Sequence, residues 1–77
     1  MSNIVFSDIL VFKTSIYTQR DIEKIAGVLD QNPYIRRWNV DHEDVDHILR
    51  IETTFYNPAK IIELISRAGF FCEELPD

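Results

Sequence analysis

Residues 9–29 read ILVFKTSIYTQRDIEKIAGVL. The first four, Ile9-Leu10-Val11-Phe12, are all apolar, with β-branched and aromatic members, as expected of a central strand. The pattern then changes. Thr18-Gln19-Arg20-Asp21 has the form of a capping box, with aspartate in the usual place of Glu or Gln. Ile22, Ile25, Ala26 and Leu29 follow at i, i+3, i+4, i+7, the apolar stripe of a surface helix. Asn32-Pro33 closes that helix, because a residue before proline avoids helical dihedrals.

Outward from this unit the spacing predicts a hairpin and a second helix. Ile35–Asp41 alternates, with Trp38 and Val40 on one face and Arg37 and Asn39 on the other. His42–Val45 is the turn, and His47–Glu52 returns with Leu49 and Ile51 on one face. Asn57-Pro58 offers an N-cap followed by proline at the first helical position. Ile61, Leu64, Ile65 and Ala68 repeat the stripe, Gly69 suits a left-handed C-terminal position, and Phe70–Leu75 reads as a last strand. The order β-α-β-β-α-β predicts a ferredoxin-like α+β two-layer sandwich. Its antiparallel sheet has strand order 4-1-3-2. Residues 1–8 form an N-terminal lead, and 9–75 a single domain.

Composition narrows the function. The chain has 77 residues, 45% of them apolar, and a formal net charge of −5. That acidity argues against nucleic-acid binding, which needs a basic footprint. No apolar run approaches the ~20 residues of a membrane span. The N-terminus lacks a secretory pattern, so the expected compartment is cytoplasmic. The single cysteine cannot form an internal disulfide. With no phosphate loop, no nucleophile elbow and two glycines, the chain is expected not to be an enzyme.

Lys13-Thr14-Ser15-Ile16-Tyr17-Thr18, followed by Ile22-Glu23-Lys24-Ile25, and the later Ala68-Gly69-Phe70 with Glu73-Glu74-Leu75, resemble a heavy-metal-associated domain. This is the fold of small copper chaperones. The resemblance spans roughly residues 9–75 and implies a Met-x-Cys-x-x-Cys motif at the end of the first strand. Here Lys13 stands at the methionine, and Ser15 and Thr18 stand at the two cysteines. Soft ions such as Cu(I) require polarizable thiolates, and neutral hydroxyls are poor substitutes. The motif is therefore degenerate, and the thiolate metal role is not expected here. Thr18 already has a structural use as a helix cap.

Three other features invite a function. The run from Asp41 to His47 holds four carboxylates and two imidazoles. His42, His47, Asp44 and Asp46 are thus the candidate ligands for a divalent ion such as Zn²⁺, Ni²⁺ or Cu²⁺; otherwise no cofactor is expected. Lys13 is expected near Asp46 or His47, as a surface ion pair. Cys72 is expected to be a small buried hydrophobe. If Ile9 and Val11 face the helices, then Leu10, Phe12, Ile48 and Phe71 form an apolar patch on the open sheet face. Such a patch marks an interaction site for a protein partner or a homodimer, unless Ile4-Val5-Phe6 folds over it. Tyr34, Phe55 and Tyr56 are expected as a second aromatic group, in the opposite loops. The function read from the sequence is non-catalytic protein–protein association by a degenerate heavy-metal-associated-like domain. The alternative is binding of a divalent ion at the His42–His47 turn.

Overall fold

The computed structural model describes residues 8–54 and 57–75. Ile4-Val5-Phe6, Phe55 and Tyr56 lie outside the described residues. The elements are β1 (Asp8–Thr14), α1 (Gln19–Leu29), β2 (Ile35–Asp41), β3 (Ile48–Thr53), α2 (Pro58–Arg67) and β4 (Cys72–Glu74). The sheet order β2-β3-β1-β4 is the expected 4-1-3-2 read from the other edge. All three strand pairings are antiparallel.

Local chemistry fixes the helix ends. Thr18 Oγ1 accepts the Asp21 N–H at 3.0 Å, and Asp21 Oδ2 accepts the Thr18 N–H at 3.0 Å, so the capping box is complete. Helix α1 stops at Leu29, before Asn32-Pro33, and its C-cap Asp30 accepts the Trp38 indole N–H at 2.9 Å. That bond ties the helix end to β2. Helix α2 has proline in its first turn as expected, but the Asn57 side chain makes no capping bond. The Asn57 carbonyl instead takes the Lys60 N–H at 3.1 Å. Gly69 has φ +97°, the left-handed conformation that terminates α2.

The core lies between the sheet and the helices. It contains Leu10, Phe12, Ile16, Ile25, Leu29, Leu49, Ile51, Ile61, Ile65 and Cys72. This corrects the parity of β1. Leu10 is 4% exposed and Phe12 0%, while Ile9 is 62% exposed. Leu10 pairs with Ile51 and Phe12 with Leu49, so these four share the helix-facing side. Lys13 pairs with Ile48 on the other side. Burying a lysine there would strand its charge, and a one-residue change of parity moves every side chain across the sheet. Leu10 and Phe12 are thus core residues and present no surface to a partner. Ile48 does lie on the open face, but at 6% exposure it presents little either. Phe71 is exposed, but it precedes β4 rather than lying in it.

The open face mixes charged pairs with apolar residues. Arg37 meets Glu52 at 3.6 Å and Arg50 meets Asp41 at 3.8 Å across neighbouring strands. Ile9 and Val11 lie beside them on β1.

Candidate functional site

Backbone hydrogen bonds gather three connections at one end of the sheet. The Thr14 N–H donates to the Asp46 carbonyl at 3.2 Å, joining the end of β1 to the β2–β3 turn. The Ser15 N–H donates to the Phe71 carbonyl at 3.2 Å, joining it to the corner before β4. This end holds the Lys13–Thr18 segment and the acidic turn together.

The Thr14, Ser15 and Thr18 hydroxyls each have a backbone partner. Ser15 Oγ accepts the Phe71 N–H at 2.8 Å, so serine and Phe71 clasp each other in both directions. Thr18 Oγ1 caps α1. Thr14, 3% exposed, donates its hydroxyl to the His47 carbonyl at 2.7 Å and accepts the Ile16 N–H at 3.2 Å. Lys13 Nζ lies 3.6 Å from Asp46 Oδ1, the ion pair expected from the sequence. Both side chains are roughly half exposed, so the pair contributes about 0–1 kcal/mol.

Asp21 is the titratable group that the local bonding shifts clearly. N–H bonds from Tyr17 and Thr18 hold its carboxyl below the ordinary value, and the charge of Lys24 adds a smaller pull in the same direction. Cys72 shifts the other way. Burial pushes its thiol up to about 12, so it stays protonated at neutral pH. It faces the core opposite Thr14 and supplies no thiolate to the motif.

The turn carboxylates act mainly on their own backbone. Asp41 Oδ1 accepts the Glu43 N–H at 3.0 Å, and Asp44 Oδ1 accepts the Asp46 N–H at 2.9 Å. The His42 and His47 rings approach to 5.9 Å between centroids. Among the described residues, however, no three His, Cys, Asp or Glu side chains form a group able to hold a metal ion. The structure brings the two imidazoles together without gathering Asp44 and Asp46 around them.

Two features here were not foreseen from the sequence. His47 has φ +47°, a sparsely populated backbone region for a residue with a Cβ, and its Nδ1 is buried with no hydrogen-bond partner among the described residues. Its ring meets Tyr17 edge-on at 4.5 Å between centroids. Tyr17 itself is 58% exposed, and Val45, at the tip of the turn, is 90% exposed. The signal for Tyr17 was an aromatic residue between buried Ile16 and the helix cap.

At the far end, an apolar cleft of about 280 Å³ lies among Tyr34, Ile35, Ile61 and Leu64, with Asn57 and Lys60 at its rim. None of the described helices is long and apolar enough to cross a membrane.

No protein-family model matches the chain, and no curated protein matches it in sequence. Among solved structures it is similar to the apo form of the HMA domain of the copper chaperone for superoxide dismutase. The TM-score is 0.78 over 99% of this chain and 74% of that one, at 16% identity. With so few identical residues, the likeness concerns backbone architecture alone. By its strand order, its helix placement and this match, the chain has the fold of a heavy-metal-associated domain.

Proposed function

We propose that this is a non-catalytic domain of heavy-metal-associated fold that has lost thiolate metal binding and acts by associating with another protein. The observation that carries the reading is the occupation of both motif hydroxyls: Ser15 Oγ by the Phe71 N–H, Thr18 Oγ1 by the Asp21 N–H. Each hydroxyl oxygen already commits one lone pair to a backbone N–H, and either would be a hard donor where Cu(I) is soft. The structural neighbour is named as a chaperone for another protein. In the proposed role this chain keeps the partner-facing task of such a domain without its cargo. The net charge of −5 disfavours nucleic acid.

A second reading is a divalent ion such as Zn²⁺, Ni²⁺ or Cu²⁺ at the turn. It rests on the 5.9 Å approach of His42 to His47 and the orphaned His47 Nδ1. Asp44 or Asp46, each engaged through Oδ1, would have to swing its carboxylate toward the imidazoles to complete the coordination.

One set of titrations tests both. Cu(I) is added in competition with a chromogenic chelator to the wild type and to a Ser15→Cys/Thr18→Cys variant. The wild type is expected not to compete, and the variant to bind one equivalent. Equal Cu(I) binding by the two proteins would sink the metal-loss half of the first reading. Zn²⁺ calorimetry of the wild type and a His42→Ala/His47→Ala variant decides the second, which fails if the two isotherms coincide.

A further inference from the structure

Three large apolar side chains stand exposed at the motif end: Tyr17 at 58%, Val45 at 90% and Phe71 at 53%. Two of them are held in place. The Tyr17 ring rests on His47, whose carbonyl is tied to the buried Thr14 hydroxyl. The Phe71 backbone is tied to Ser15 through both its N–H and its carbonyl. Fixed aromatic groups lose little entropy on binding, which suits them to anchor an interface.

The β2–β3 turn at this end is acidic, while Lys24 lies over the Phe70 ring on the other side. Of the turn carboxylates, Asp41 is paired with Arg50 and Asp46 with Lys13. Glu43 and Asp44 make no ion pair among the described residues, and both are exposed. The open sheet face differs, because Arg37–Glu52 and Arg50–Asp41 neutralise one another there.

Resting on the association reading, we infer that Tyr17, Val45 and Phe71, rimmed by Glu43 and Asp44, dock a basic segment of a different protein. The matching segment carries arginine or lysine next to an apolar side chain. A guanidinium stacks on an aromatic face, and carboxylates at the rim steer it there. A second copy of this chain fits poorly, since symmetric contact through this end would oppose the same carboxylates.

The test is a titration of the ¹⁵N-labelled full chain with a dodecapeptide of alternating arginine and leucine, followed by NMR. A counterpart with glutamate in place of arginine is the control. The largest shifts are expected at Tyr17, Val45, His47 and Phe71. Tyr17→Ala, a substitution at an exposed site, should weaken binding about tenfold or more, as loss of an aromatic anchor does. Glu43→Gln/Asp44→Asn should weaken it several-fold, and the glutamate peptide should not bind. Binding indifferent to Tyr17→Ala would be diffuse charge attraction and would overturn the inference. So would shifts centred on Ile9, Val11 and Arg50. Sedimentation of the free protein separates the two readings. A concentration-dependent dimer unaffected by Tyr17→Ala would keep association and discard this docking site, whereas Cu(I) binding by the wild type would strike only the proposed metal loss.

Discussion

The Asp21 carboxylate accepts two backbone N–H bonds at the mouth of α1, and its charge is what they select. The Tyr17 and Thr18 N–H groups prefer the carboxylate, so the folded-state value lies below the 3.8 of an unperturbed aspartate. A group with a depressed folded value stabilises the fold above its unfolded value, and that contribution is lost as pH falls through the folded one. Melting of the wild type and Asp21→Asn should therefore differ most at neutral pH. The gap should close as pH falls below the ordinary aspartate value and through the lowered folded one. A gap independent of pH would mean that the carboxylate's charge plays no part in the cap. Thr18 works with it from the opposite direction, and the same residue stands at the second cysteine position of the motif that the sequence resemblance implies. Its oxygen is thus accounted for by a helix cap worth about 1 kcal/mol.

Strand β1 shows where sequence reading ends and packing begins. Helix α1, β2, the hairpin and the strand order were legible, because their apolar residues recur at spacings that only one element satisfies. Ile9-Leu10-Val11-Phe12 has no such alternation, so either pair could have faced the helices. The register with β3 decides, by placing Phe12 opposite Leu49 and Lys13 opposite Ile48. Lys13, one residue beyond the run, was the available clue: a lysine on the outer face sends Val11 and Ile9 outward with it. At the candidate site, the hydroxyl substitutions and the Lys13–Asp46 pair were visible in the residue types. The Ser15–Phe71 clasp and the His47 conformation depend on residues far apart in the chain, and no local pattern announces them. Phe12→Ala should cost about 3–5 kcal/mol, a large share of the roughly 4–12 kcal/mol available to a domain of this size. Ile9→Thr should stay within about 0.5 kcal/mol. Thermal unfolding of the two variants checks this, and a greater loss at Ile9 would reverse the assigned parity.

For the molecule as a whole, Cys72 reports cooperativity. Its thiol is 9% exposed, sits in the same cluster as Phe12 and Ile65, and is pushed up to about 12 by burial. Modification by an aromatic disulfide reagent should proceed at the rate of global opening, with residue-level changes at the surface leaving it untouched. Fast labelling under conditions where the fold is intact would reveal a separate local opening of β4. The margins of the sheet have a consequence of their own. On one side β2 is interrupted by a shift of register between Ile35 and Arg37, and on the other β4 offers only three residues. Neither border presents a long, regular row of donors and acceptors that an extended peptide could extend as an added ribbon. In the proposed association role, recognition would then rest on side chains, and a partner would be chosen by its composition and shape more than by its ability to lie alongside as one more β-strand.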